Sequence, residues 1–162
     1  MAQHAVDFEE WYRGAHPRLG TSLALAFGDV NLAQDALDEA CSRALERWDR
    51  VAAMQSPTAW VYTVAFNDAR RRLRRAGLER RILRSRRTES VQPPAGEMWA
   101  VVADLPERQR EAVVLRHVGQ LLEDEIAATM GITRGTVSST LRAAYKSLRI
   151  AIAEPVDVGE SR

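Results

Sequence analysis

Apolar residues recur at helical spacing along nearly all of the chain. Phe8, Trp11 and Tyr12 form one run, Leu19, Leu23 and Phe27 a second, and Ala33, Leu37, Ala40, Cys41, Ala44, Leu45 and Trp48 a third. Apolar positions three or four residues apart mark a helix that buries one stripe. Trp60, Val61, Val64, Ala65 and Leu73 continue the pattern in a fourth helix. Its start is marked by Ser56-Pro57, a cap residue followed by proline at the first helical position. Gly28 lies between the second and third helices, and Asp49 to Gln55 reads as a loop. No stretch combines strand alternation with hairpin turn residues, so the expected fold class is all-α.

The periodicity then stops. Thr88 to Glu97 carries Pro93, Pro94 and Gly96 with no apolar repeat, the composition of an exposed, flexible linker. The expected organisation is two small helical domains, residues 1–87 and 97–154, joined by a linker over 88–96 and followed by a frayed tail over 155–162.

The most specific pattern lies in the second domain, from Glu123 to Leu148. Ala127 is small where one helix must approach another, and Gly131, four residues on, can adopt the left-handed conformation of a tight turn. Ile126, Met130, Ile132, Val137 and Leu141 supply a shared core, and Thr133 can cap the second helix. This is a helix-turn-helix. Its second helix turns Arg134, Thr136, Ser138, Ser139, Arg142 and Lys146 outward, hydrogen-bonding and cationic groups able to enter a major groove. An ordinary helical hairpin with a polar outer face is the plainer reading of the same spacing. Upstream, Pro106 opens a helix with Ala112, Val113 and Leu115 inward.

Charge sharpens the picture. The 162 residues carry a formal net charge of +1, which hides an asymmetry. Over the first fifty residues acids outnumber bases, whereas Arg70, Arg71, Arg72, Arg74, Arg75, Arg80, Arg81, Arg84, Arg86 and Arg87 stand against Glu79 alone. Cations this dense repel one another unless a polyanion or an acidic partner is near, and phosphate backbone is the commonest such partner. No run approaches the ~18 apolar residues that span a bilayer, and the start of the chain lacks the basic flank and apolar core of a signal peptide. The single Cys41 allows no internal disulfide and suits a reducing cytoplasm. His4, His16 and His117 are scattered, so no metal or other cofactor is expected. No nucleophile–base constellation or phosphate-cradling glycine loop is present, which points to binding and not to an enzyme.

The segment Leu105-Pro106-Glu107-Arg108-Gln109-Arg110-Glu111, with Glu125-Ile126-Ala127 and Gly135-Thr136-Val137, resembles the promoter-reading C-terminal domain of bacterial sigma factors. In the first domain, Pro57-Thr-Ala-Trp60 leading to Asn67 and then to arginine repeats resembles the sigma region that captures and opens the −10 element. The resemblance covers nearly the whole chain. It is to the smallest members of the sigma-70 family, the extracytoplasmic-function (group IV) type, which lack the intermediate domain.

The resemblance implies a role for each patch. The helix-turn-helix would read the −35 element and rest on the polymerase β subunit, with Ser139 and Arg142 as base readers and Arg134 on phosphate. Asn67 would hold a flipped base, Arg70, Arg71, Arg74 and Arg75 would follow the strand's phosphates, and the loop 49–55 would complete the pocket. Asp35, Asp38, Glu39, Ser42, Arg43 and Glu46 on the third helix would bind polymerase core through its β′ subunit, although taken alone they also read as a solvated face. Promoter DNA and an anti-sigma factor are the further partners implied.

The chain departs from the family pattern in places. Ser138, Thr140 and Ala143 stand where cations are frequent, Glu123 and Cys41 where aromatics are frequent, and the acidic core-binding signature is Asp35-Ala-Leu-Asp38-Glu39. Two other readings stay open on the sequence. One is a stand-alone helix-turn-helix regulator. The other is a sigma-like decoy that occupies polymerase or an anti-sigma factor without reading promoters.

Overall fold

The structure, a computed structural model, describes residues 7–82 and 97–153. The expected linker 88–96, the tail 155–162 and Arg84, Arg86 and Arg87 lie outside the described residues, as do the side chains of Arg80 and Arg81. Among the described residues the regular elements are all helical: α1 Phe8–Phe27, α2 Val30–Glu46, α3 Trp48–Ala52, α4 Pro57–Ile82, α5 Glu97–Ala103, α6 Glu107–His117, α7 Glu123–Met130 and α8 Arg134–Ala153.

The first two apolar runs belong to one helix, α1, which continues through Pro17. An interior proline forfeits one backbone hydrogen bond, and packing at both ends of α1 offsets that loss. At its start Phe8 and Trp11 meet Trp48 with ring centroids 5.2 and 5.1 Å apart, and the Trp11 indole N–H donates to Thr58 Oγ1 at 3.1 Å. Further along, Leu19, Leu23 and Ala26 are fully buried. Gly28, at φ 67°, closes α1 by donating to the Ala24 carbonyl at 2.8 Å, and Asp29 caps α2 by accepting from Leu32 N at 2.9 Å.

The segment expected to be a loop over 49–55 is helical in its first part, because Val51 is buried and pins α3 down. Ser56 caps α4 as expected, accepting from Ala59 N at 3.1 Å. The buried face of α4 is Val61, Tyr62, Ala65, Phe66 and Ala69, while Trp60 and Val64 are only half-buried at its margin and Leu73 is exposed. Tyr62 is central because it is both large and satisfied, its hydroxyl lying 2.8 Å from Ser22 Oγ. Cys41 is a buried free thiol, and burial followed by the nearby Asp38 charge pushes its pKa up to about 11, so it packs as a small apolar group.

In the second half, the helix-turn-helix has the expected geometry. Gly131 takes φ 67° at the end of α7, and Ile126, Met130, Val137 and Leu141 are buried, with Ile132 packed against them. Gly119 lies where an added Cβ would fall 2.8 Å from the Leu115 carbonyl oxygen, a clash that only glycine avoids.

The two halves do not stand apart. Helix α7 packs on α4 and α6 packs on α1, and their apolar residues form one continuous core.

Candidate nucleic-acid and partner interfaces

Helix α4 continues past its core as a charged rod. Asn67 is exposed, and a cleft of about 330 Å³ is lined by Val64, Asn67, Asp68, Arg70, Arg71 and Arg74 together with Arg43 of α2. Four residues expected to meet the −10 element thus share one groove. Arg43, expected among the polymerase contacts, lines the same groove and also pairs with Glu39 at 2.7 Å.

Asp68 organises this groove. It is buried and receives hydrogen bonds from both Arg71 and Arg72. Burial works against its charge, but the hydrogen bonds from Arg72 and Arg71 outweigh it and hold the carboxyl below the ordinary value of 3.8. Arg72, on the far side of Asp68, reaches Asp35 of α2 at 3.7 Å. There a second, acidic cleft of about 310 Å³ gathers Asp35, Asp38, Glu39, Ser42 and Arg72. Glu46 lies a turn further along, in a separate cleft with Leu45, Trp48 and the start of α3.

Arg70 departs from the expectation of an outward cation. Its guanidinium donates to Glu111 of α6 at 2.9 Å and to the Thr129 carbonyl of α7 at 3.2 Å. Both acceptors belong to the other half. The Glu111 side chain is 1% exposed, and burial raises its pKa, with Arg70 offsetting part of the rise. Around this pair, Thr63 Oγ1 lies 3.2 Å from Thr129 Oγ1, Arg110 donates to the Ala26 carbonyl at 3.0 Å, and Arg18 donates to Gln120 Oε1 at 3.1 Å.

On α8, Arg134, Ser138, Arg142 and Lys146 follow one another at four-residue intervals along one face, with Thr136 and Ser139 beside them. Thr133 caps the helix, accepting from Thr136 N at 3.2 Å. Arg142, Lys146, Thr136 and Ser139 are exposed. Arg134 and Ser138 are engaged: both donate to Glu123 Oε2, at 3.3 and 3.0 Å, and Arg134 also meets Asp124 at 3.7 Å. The hydrogen bonds from Ser138 and then Arg134 hold the Glu123 carboxyl below its ordinary range.

Sequence reasoning missed Asp68, Glu111, Thr129 and Glu123 as partners of the expected site residues. The spacing of Asp68 to Arg71 and Arg72, three and four residues, was a readable signal. The other three contacts depend on tertiary packing. Among the described residues no helix is long and apolar enough to cross a membrane.

Comparison with known proteins identifies the family of each half. The family described as Sigma-70 region 2 matches residues 12–79, and the family described as Sigma-70, region 4 matches residues 95–148. The RNA polymerase sigma-E factor of Streptomyces coelicolor is 32% identical over 151 residues, covering 89% of this chain and 85% of that protein. The ECF RNA polymerase sigma factor EcfG of Rhodopseudomonas palustris is 28% identical over 129 residues, 75% of this chain and 71% of that one. Among solved structures, the sigma factor RpoE from Bartonella quintana, in complex with the anti-sigma factor NepR, has the same fold. It matches with a TM-score of 0.77 at 20% identity, covering 90% of this chain and 96% of that one. CnrH in complex with the cytosolic domain of CnrY matches with a TM-score of 0.57 at 19% identity, covering 90% and 86%.

Proposed function

The chain belongs to the sigma-70 family of RNA polymerase sigma factors, and from that premise we propose that it binds polymerase core and directs it to promoters as an extracytoplasmic-function sigma factor. The observation that carries this reading is the order of parts in one chain: an arginine-lined cleft on α4 first, a helix-turn-helix second, matched in turn by regions 2 and 4.

The division of labour follows from the chemistry of each patch. Opening of the −10 element needs a polar side chain that can read an unstacked base beside cations that follow the strand. Asn67 takes the first role, and Arg70, Arg71, Arg74 and Arg75 take the second. Reading of the −35 element needs donors on a helix that lies in the major groove. Arg142 and Ser139 are the base readers, with Arg134, Thr136, Ser138 and Lys146 around them. The acidic cleft of α2 with Asp35, Asp38, Glu39 and Ser42, together with Arg43 and Glu46 outside it on the same helix, meets the core enzyme. RNA polymerase core, promoter DNA and an anti-sigma factor are its partners, and bond formation belongs to the polymerase.

Run-off transcription with core polymerase on fragmented genomic DNA tests this reading. Discrete transcripts that require the protein are expected, and Arg142→Ala should weaken upstream recognition by about 1–3 kcal/mol. Core binding without transcripts would favour the decoy. One observation keeps that second reading in view: Glu123 engages Arg134, one of the few cations on the outer face of α8.

A further inference from the structure

The outer face of α8 carries a hydroxyl whose polarity is set by a residue of α7. We propose that Ser138 and Glu123 form an acceptor pair that reads an exocyclic amino group, the N4 amine of cytosine or the N6 amine of adenine, on the major-groove edge of the duplex. Naming that duplex the −35 element rests on the sigma reading, but the polarity of the pair does not.

Three observations carry it. First, Ser138 shares its face of α8 with Arg134, Arg142 and Lys146, and its hydroxyl donates to Glu123 Oε2 at 3.0 Å. A serine hydroxyl has one hydrogen to give and two lone pairs to receive, so by itself it suits a donor or an acceptor on a base. An ionised carboxylate can only accept. Beside Glu123 the Ser138 hydrogen is therefore committed, and only acceptor capacity is left for a base. The bonds from Ser138 and then Arg134 also keep the Glu123 carboxyl ionised at neutral pH.

Second, the carboxylate lies at the outward surface. Both groups it holds belong to the outer face of α8, and its own side chain is 31% exposed. A base edge that reaches Ser138 thus finds a second acceptor 3.0 Å further on. The groove amine of cytosine or adenine brings a hydrogen to that pair. Thymine O4 and guanine O6 and N7 bring only lone pairs, and lose their water without a bond in return. Third, the charge is compensated. Arg134 meets Glu123 at 3.3 Å and Asp124 at 3.7 Å, and Arg116 adds a further positive field. The positive end of the α7 dipole acts in the same direction. Glu123 can therefore stay charged beside a polyanion.

The register on the duplex follows. Ser138 precedes Arg142 by one helical turn, about 6 Å along the axis, or about two base pairs at roughly 3.4 Å each. Arginine only donates, so α8 offers acceptors at one level and donors at the next. The amine-bearing base should lie within about two base pairs of the base read by Arg142.

A cycle of protein variants against base variants tests the pair. Full-length protein, alone and bound to core polymerase, is offered duplexes randomised over about ten base pairs, one helical turn, and the bound fraction is sequenced. The parent should enrich cytosine or adenine about ten-fold over thymine and guanine at one position, close to the one that Arg142→Ala flattens. Glu123→Gln keeps the shape but can return a hydrogen to Ser138, so it should flatten the profile at that position. Ser138→Ala should flatten the same position. Duplexes in which the selected base has lost its groove amine, 2-aminopurine for adenine or pyrimidin-2-one for cytosine, show which amine is read. The parent should bind the matching analogue about ten-fold more weakly than the natural duplex, whereas Glu123→Gln should bind the two alike. The parent's own loss on the analogue needs no variant, so a variant that fails to fold leaves the test in force. If Glu123 makes only a surface ion pair, Glu123→Gln will change the affinity for every sequence alike. That result overturns the proposal, as does a parent that selects no amine-bearing base. Run-off transcription keeps the two readings separate. Base preference without initiation would leave the pair standing and remove the sigma assignment, and initiation with no such preference would do the reverse.

Discussion

Glu123 holds two outward groups of the recognition helix at once, the Arg134 guanidinium and the Ser138 hydroxyl. Its carboxylate subtracts from the positive field that α8 presents to duplex DNA. Glu123→Gln should therefore raise duplex affinity several-fold at low salt and steepen the salt dependence by about one unit of slope, as Arg134 is released to a phosphate. Fluorescence titration of a duplex at several salt concentrations measures both. An unchanged slope would mean that Arg134 stays off the DNA even when freed. The sequence showed which residues of α8 face outward, because helical spacing settles that directly. It could not show that Glu123, eleven residues before Arg134, reaches across the turn, since that contact depends on the angle between two helices.

Helix α4 owes the arrangement of its charged end to one buried acid. Asp68 draws in Arg71 and Arg72, and so fixes which arginines line the groove and which turn toward α2. A carboxyl whose folded pKa lies below its unfolded value stabilises the native state above the unfolded value. That contribution is lost as pH falls through the lowered folded one. Asp68→Asn should cost about 1–2 kcal/mol at neutral pH. The gap in thermal midpoint from the parent should hold down to about pH 5 and close below about pH 4. A gap that persists in stronger acid would assign the loss to packing.

Helix α7 begins with a different weakness. Leu122 occupies its N-cap, 62% exposed and with extended backbone, and its side chain cannot accept a hydrogen bond from the first turn. Only the reverse bond is made, from Leu122 N to Glu125 Oε2 at 2.8 Å. Leu122→Ser should complete the reciprocal cap and stabilise the protein by about 1 kcal/mol, read as a raised Tm. At this scale the sequence was a good guide to caps and turns, as Ser56, Gly28 and Gly131 show. It divided α1 in two because no large apolar residue falls between Tyr12 and Leu19 and Pro17 intervenes, and only packing at both ends reveals a single helix.

At the scale of the whole molecule, the break in periodicity after residue 87 suggested two bodies on a tether, and the fold joins them through one core. The residues that join them were visible but could not be paired. Arg70 lay in a run of identical neighbours, and Glu111 lay in a segment whose acids and bases alternate. Nothing local marks which arginine of a run will be buried. A shared core has a measurable consequence: the halves should unfold together. In a Trp99→Phe variant, tryptophan fluorescence reports only on Trp11, Trp48 and Trp60 of the first half. Its denaturant midpoint should coincide with the loss of amide protection along α8, and two separate midpoints would show that the halves are energetically independent.

The crossed arginines have one more consequence. Because Arg70 completes the end of α7 and Arg110 completes the end of α1, neither half carries all the parts of its own helices. A hybrid that grafts this second half onto the first half of a relative would inherit an arginine without its carbonyl and a carbonyl without its arginine. The pieces that can be exchanged between such proteins without loss are therefore not the two domains, but the two domains together with the seam between them.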